Sequence, residues 1–436
     1  MKLDDKKAIF GWAMYDWANS AFATTITATF FPLFFAGYWN EGVPITVVTD
    51  RLGNANSLAG IIVALMAPVL GAIADRGSAK KKFLLFFAYM GVVMTSCLYF
   101  VAKDNWILAA ALYVFALIGF AGGNIFYDSL ITGVASEKKI DFVSALGYSL
   151  GYLGGGILFA LNVFMVKSPG TFGLADQTEA FKVAFVTVGI WWAVFSIPVF
   201  LLVKEPEYGE GGSGLELVKA GFAQFRETFR EIRHLKTIFL FLLAYFLYID
   251  GVDTVVVMAV NYGRSLGFNN QDLIVAILIV QFVGFPAAIG FGYLGGRIGP
   301  KPAVFIGLTV YLFVSVWASF MQSSKDFYIL AIIVGLVQGG VQALSRSFYA
   351  KIIPADKSAQ YFGFYNMLGK FATIIGPQLI GKSGRLLVVF WGFSEITASR
   401  ASIPSISLLF VVGGILLYFV NENKGRQEAK YLSKDS

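Results

Sequence analysis

Six ionisable residues stand inside otherwise apolar stretches: Asp16, Asp128, Asp250, Asp253, Arg346 and Lys370. A charge in an apolar solvent is costly, so such residues mark a polar pathway or a buried pair. Both signs are present. Lys370 or Arg346 suits a carboxylate and an Asp suits an amine, so a zwitterion such as an amino acid or small peptide fits this lining. Asp250, Asp253 and Asp16, in that order, are the candidates for carrying a coupling proton. Burial raises the pKa of an Asp and a nearby Lys lowers it. A purely structural network, in which these charges neutralise one another, is the alternative reading.

Spacing extends each charge into a stripe, because residues three or four apart share a helix face. The stripes are Asp16, Asn19/Ser20, Thr24 and Thr27; Asn124, Asp128 and Thr132; and Asp250 with Asp253/Thr254. Two more are Gln338, Gln342, Arg346 and Tyr349, and Asn366, Lys370, Thr373 and Gln378. Together they imply a wet central cavity. Its pathway candidates are Asp16, Asn19, Asp250, Asp253, Gln338, Gln342, Asn366 and Lys370. At about 1.5 Å per residue, Asp250 lies roughly 20 Å into its stretch and Lys370 roughly 15 Å. Asp128 and Arg346 approach the ends of theirs and are expected to pair as a gate. Failure of a double charge reversal to restore transport lost in either single reversal would remove that pairing.

The elements that must hold these residues are membrane helices. The chain is 57% hydrophobic and 14% charged over 436 residues, whereas soluble proteins carry about 25% charged residues. A bilayer crossing takes about 20 mostly apolar residues. Twelve stretches qualify: 9–37, 54–75, 83–102, 106–134, 142–166, 182–203, 237–261, 271–295, 302–322, 327–350, 360–381 and 402–420. Leu386–Phe393 is too short to cross again and reads as an interfacial extension of the eleventh. Of the 34 Lys and Arg, 24 fall on one side and 9 on the other, with Lys370 inside a span. The positive-inside rule then puts both termini in the cytoplasm. The charged start, Met1 to Lys7, reads as a cytoplasmic tail and not as a cleaved signal.

The net charge of +7 sits in short loops rather than on one soluble face, which excludes a nucleic-acid binder. Cys97 is the single cysteine, so neither a disulfide framework nor a Cys-based metal site is expected. His234, the one histidine, has no neighbours to complete a metal or catalytic site. No phosphate-binding loop is intact. No cofactor and no enzymatic activity are expected.

The longest loop, 204–236, opens with the Gly-rich run 209–214. Leu215, Val218, Phe222, Phe225, Phe229 and Ile232 then recur at helical steps, with Arg226, Arg230 and Arg233 on the remaining surface. This reads as an amphipathic helix, either lying on the inner leaflet or packed on the span ends. It divides the chain into a six-helix half (1–203), the linker (204–236), a second six-helix half (237–420) and a tail (421–436). The halves echo one another. Gly71, Arg76 and Lys80 match Gly292, Arg297 and Lys301, each 221 positions later, with Gly296 where Asp75 would recur. Duplicated halves are a recurrent design of secondary transporters. The glycines of 151–156 and Gly339-Gly340 read as close helix packing.

Gly71-x-x-x-Asp75-Arg76 followed by Lys80-Lys81-Lys82 resembles the signature loop of the major facilitator superfamily. A narrower resemblance rests on Trp12-Ala13-Met14-Tyr15-Asp16-Trp17-Ala18-Asn19-Ser20-Ala21-Phe22, on Ser144–Gly156, and on Arg346-Ser347-Phe348-Tyr349, Phe362-Gly363-Phe364-Tyr365 and Gly376-Pro377. Together these look like the vacuole-effluxer-like branch, relatives of the fungal autophagy-related amino-acid effluxer. The resemblance implies an all-α fold of twelve membrane helices in two pseudo-repeats. It implies a secondary transporter using alternating access, with spans one, four, seven and ten lining the cavity and three, six, nine and twelve facing lipid. It also implies that Asp75 caps a neighbouring helix end. Expected partners are a small solute, a proton and membrane lipid, with the chain a monomer. A lipid or amphiphile flippase or a drug exporter on the same fold stays open. The short tails and the absence of Asn-x-Ser/Thr favour a bacterial inner membrane over a vacuolar one.

Overall fold

In hydrocarbon a backbone satisfies its polar groups only within helices or closed barrels. The computed structural model of the chain is helical along its apolar stretches. It describes residues 3–205, 214–232, 235–265, 269–371 and 375–433. In order the helices are α1 Lys6–Trp39, α2 Ile45–Arg76, α3 Lys80–Phe100, α4 Trp106–Val134, α5 Ile140–Lys167 and α6 Gln177–Leu202. Next come α7 Gly214–Ile232, α8 Lys236–Ser265, α9 Asn270–Ile298, α10 Pro300–Phe320 and α11 Ser324–Ile352. The last are α12 Ser358–Phe371, α13 Ile375–Trp391, α14 Thr397–Phe419 and α15 Glu422–Leu432.

Among the described residues, eleven helices are long and apolar enough to cross a membrane: α1 to α6, α8 to α11 and α14. The expected crossing at 360–381 falls on α12 and α13, helices of 14 and 17 residues on either side of 372–374. α13 runs on to Trp391 and absorbs most of Leu386–Phe393. α2 begins at Ile45 rather than near 54, with Pro44 at its N-cap.

Local chemistry explains the helix starts. Asp5 accepts from Ala8 N, Asp176 from Glu179 N and Asn269 from Asp272 N, at 3.1, 2.8 and 2.9 Å. Ser323 and Asp326 form a reciprocal capping box at the head of α11.

One stripe needs correction. α1 contains two π-helical stretches, Phe22–Phe30 and Phe35–Trp39. Their i→i+5 pattern breaks the three-to-four spacing on which an Asp16-to-Thr27 stripe depends. Thr24, Thr25 and Thr29 are buried, and Thr29 Oγ1 donates to Thr24 O at 3.2 Å. Thr27 is only half-buried.

The chain folds as two compact units that do not follow the sequence halves. Unit 1 is Met1–Ser136, Leu150–Phe225 and Asp356–Met367; unit 2 is Glu137–Ser149, Arg226–Ala355 and Leu368–Ser436. Each unit therefore contains a short guest segment from the other half of the sequence. Small residues let the helices within a unit approach closely. A Cβ on Gly119 would meet the Gly91 backbone at 2.6 Å, and one on Gly335 would meet Val280 O at 3.2 Å. Aromatic stacking fills the interiors, Phe31 on Tyr113 at 3.8 Å in unit 1 and Tyr311 on Phe410 at 5.3 Å in unit 2.

In the most apolar window, 61% of residues are buried in α5, α8 and α11, against 33% in α6 and 28% in α9, so the apolar helices differ in how much of their surface the fold covers.

Candidate functional site

Each unit holds a buried polar cluster around its guest segment. In unit 1 the guest is 356–367, the first turns of α12. A helix start exposes unpaired N–H groups and the positive end of the dipole. Asp75, buried at the end of α2, accepts from Ala359 N at 3.1 Å and Gln360 N at 2.9 Å. Lys80 Nζ pairs with Asp75 at 2.9 Å and donates to Ser358 Oγ at 2.7 Å. Ser358 Oγ also donates to Ser129 O on α4, at 3.2 Å. Further along, Asn366 Nδ2 donates to Asp128 at 3.1 Å. Two glycines allow this approach. A Cβ on Gly71 would collide with the Ala359 carbonyl, and one on Gly363 would meet Ala67 O at 2.7 Å.

In unit 2 the guest is 137–149, the loop and first turns of α5. Here the acid is carried by the guest itself. Asp141 pairs with Lys351 Nζ at 2.6 Å and accepts from Ser347 Oγ at 2.7 Å. Arg346 Nε donates to Ser144 Oγ and an Nη to Ser144 O, each at 2.9 Å. Its guanidinium lies 4.4 Å over the Tyr148 ring, a cation–π contact. Ser144 Oγ donates to Ala343 O at 2.7 Å. Gly292 packs against this guest, where a Cβ would meet the Ala145 methyl at 2.6 Å.

The two basic loops differ from the letter match. Lys81 Nζ donates to Phe200 O and Val203 O, at 2.7 and 2.6 Å, closing the C-terminal end of α6. Lys301 Nζ donates to Tyr418 O and Val420 O, at 2.7 and 2.8 Å, closing the end of α14. Lys301 thus does the work of Lys81 and not of Lys80, its counterpart in the letter alignment. Only Gly299 separates α9 from α10, whereas 77–79 separate α2 from α3, so the register shifts in the loop. Arg76 and Arg297 are both exposed, and Arg76 Nε donates to Gln224 on α7 at 2.6 Å.

The pathway candidates are distributed as follows. Asp16 is buried and accepts from Tyr127 OH at 2.8 Å, while Trp12 stacks on the same tyrosine. Asn19 Nδ2 donates to Asn124 Oδ1 at 2.6 Å. Asp250 is fully buried and accepts from Ile375 N and Gly376 N, each at 2.9 Å, and from Thr254 Oγ1 at 3.1 Å. It therefore caps the start of α13 much as Asp75 caps the start of α12. Asp253 lies about one turn further on, half-buried. Gln338 and Gln342 are half-buried on α11, and Gln338 Oε1 has no hydrogen-bond partner among the described residues.

Lys370 belongs to α12, but its side chain lies outside the described residues, as do Thr373, His234, Arg233 and 206–213 of the Gly-rich linker. Asn366 and Lys370 fall in different units, as do Asp128 and Arg346. Among the described residues no three His, Cys, Asp or Glu are placed to hold a metal ion.

Asp141, Ser144, Ser347, Lys351, Gln224 and Gln360 were not candidates from sequence. One available signal was that Asp141, Ser144 and Tyr148 share a helix face at three- and four-residue steps, opposite the equally polar end of α11.

A family model described as "Vacuole effluxer Atg22 like" matches residues 54–140 and 133–430. The chain is 38% identical over 413 residues to YxiO of Bacillus subtilis (strain 168), described as an uncharacterized MFS-type transporter, covering 94% of each chain. It is 23% identical over 466 residues to autophagy-related protein 22 of Yarrowia lipolytica (strain CLIB 122 / E 150), covering 86% of this chain and 76% of that protein. Among solved structures it shares its fold with the proton:xylose symporter XylE, with a TM-score of 0.69, 14% identity and 98% and 97% of the two chains covered. It likewise shares it with FucP in the outward conformation, with a TM-score of 0.68, 12% identity and 95% and 98% covered. The chain belongs to the vacuole effluxer Atg22-like family of major facilitator transporters.

Proposed function

We propose that this transporter moves a small zwitterionic solute, of the amino-acid or small-peptide class, by proton-coupled alternating access. In this reading twelve helices form two six-helix repeats with both termini in the cytoplasm of a bacterial cell. α12 and α13 together make the eleventh crossing. The observation that carries the reading is the exchange of guest segments. The guest of unit 2 is held by hydrogen bonds and a buried ion pair, and that of unit 1 by hydrogen bonds beside the host's buried Asp75–Lys80 pair, polar contacts that can be remade. Cycling between access states then consists of releasing and recapturing 356–367 and 137–149.

The two signs of charge within the apolar stretches, Asp250 and Asp253 against Lys370 and Arg346, support a zwitterion as cargo. Asp250 supports proton coupling for a specific reason. An ionised carboxylate accepts at both oxygens, whereas a protonated one turns one oxygen into a donor. Protonation would therefore weaken the grip on one of the two backbone N–H groups at the head of α13, linking a proton to the position of that helix.

The test is uptake of amino acids and short peptides into proteoliposomes, with and without an imposed pH gradient. Gradient-driven uptake is expected for the parent protein and lost in Asp250→Asn, with the variant still folded. Uptake that ignores both the gradient and the substitution would remove the proton from the mechanism. No uptake of any zwitterion by folded protein would remove the cargo class.

A further inference from the structure

The guest segment of unit 1 has a further holder, which lies outside the signature loop. Gln224 lies on α7, the helix of the linker between the sequence halves, and is buried. Its Oε1 accepts from Arg76 Nε at 2.6 Å, and its Nε2 donates to Gln360 Oε1 at 2.9 Å. Gln360 Nε2 donates back to Gln224 O at 3.4 Å, and Gln360 N donates to Asp75 at 2.9 Å. One amide thus joins the end of α2 to the start of α12, using both its acceptor and its donor. Two neighbours on the same face of α7 fix its seat. A Cβ on Gly221 would collide with Ile73 of α2, and Phe225 stacks on Phe364 of α12 with centroids 6.0 Å apart. Positions 221, 224 and 225 follow the i, i+3, i+4 rule for one helix face.

We propose that Gln224 is a gate-positioning residue, and that the linker helix holds the guest segment 356–367 in place during the transport cycle. This rests on the alternating-access reading above. The physical basis is satisfaction. A buried amide with both ends bonded is costly to open, because Gln224 and Gln360 are buried and water does not readily replace the bond between them. The linker then does more than tether two halves, since whatever displaces α7 frees α12 to move.

The test needs no substrate. In a Cys97→Ser background, Thr132→Cys places a thiol against the held segment, where the Thr132 hydroxyl lies 3.3 Å from Ser358 Oγ. Its labelling rate by a small methanethiosulfonate reports how often 356–367 lifts away. Gln224→Ala is expected to raise that rate about ten-fold, the population change expected from losing one buried partner. Gln224→Glu, which keeps the acceptor for Arg76 and loses the donor to Gln360, is expected to give a smaller rise. A thiol at Thr95→Cys, buried in α3, is expected to stay unlabelled throughout.

A rate unchanged by Gln224→Ala but raised by Asp75→Asn would overturn the role of Gln224 and leave the gate intact. Equal rises at both thiols would mean unfolding and would also overturn it. Insensitivity to Asp75→Asn as well would overturn the gate reading on which it rests. Because uptake is not the readout, a wrong cargo class leaves the result standing.

Discussion

The two guest segments are held by opposite means. In unit 1 the charge belongs to the host. Asp75 reaches across to bare backbone N–H groups at the start of α12, and Lys80 backs it from the same loop. In unit 2 the charge belongs to the guest. Asp141 brings the carboxylate, and the host end of α11 supplies Lys351, Ser347 and Arg346. The guest of unit 2 thus carries its own carboxylate, while position 296, Gly where Asp75 would recur, is exposed and a Cβ there would meet nothing within 4 Å. The comparison shows that a similar mechanical task tolerates moving a charge from one partner to the other. It also shows that grip on a backbone and grip on a side chain should fail differently.

The largest expected effect tests that difference. Lys351→Met leaves Asp141 buried with one hydroxyl partner, and stripping one member of a buried ion pair costs about 3–5 kcal/mol. Asp141→Leu combined with Lys351→Met should recover most of the loss, since apolar replacement of a whole pair is near neutral. Lys80→Met should cost less, about 1–3 kcal/mol, because two backbone N–H groups still satisfy Asp75. Thermal unfolding midpoints in detergent give the order. Equal losses at Lys80 and Lys351 would end the distinction between the two grips.

A middle-sized effect concerns packing. Gly363→Ala puts a methyl against the Ala67–Pro68 backbone of α2, and overpacking of this kind costs about 1–3 kcal/mol. Gly296→Ala meets nothing within 4 Å, so its melting midpoint should hold or rise, since Ala favours the helix by about 0.5–1 kcal/mol. A fall at Gly296 would mean that the second loop is more tightly engaged than its contacts imply. The smallest effect is the matched pair Lys81→Met and Lys301→Met. Each removes a cation from a helix C-terminus, worth about 0.3–1 kcal/mol, so the two should shift the midpoint alike. Unequal shifts would separate two loops that the geometry makes equivalent.

The signature-loop residues were legible because they lie within ten positions of one another and three of them, Gly71, Arg76 and Lys80, repeat in the second half. The loop's target was not, since Asp75 meets Ala359 and Gln360 more than 280 residues away. Asp16 and Asp250 stood out as charges in apolar runs. Nothing local indicated that Asp250 would cap α13 across 125 residues, or that Tyr127 would hold Asp16. The Thr24–Thr27 face was misplaced because an α period was assumed where the backbone turns to π. Gln224 was hidden by its setting, a single neutral amide in a linker whose phenylalanines and arginines dominate the pattern.

By itself the sequence determined the solvent. With 57% hydrophobic and 14% charged residues, the chain must satisfy its backbone within helices and place its remaining charges where they find partners. Those constraints act over one or two turns, so they are written in composition and period. Which charge meets which backbone N–H, and which half of the sequence each guest segment joins, was decided only by the tertiary structure. These contacts link residues more than a hundred positions apart, and their strength depends on burial that no local window records.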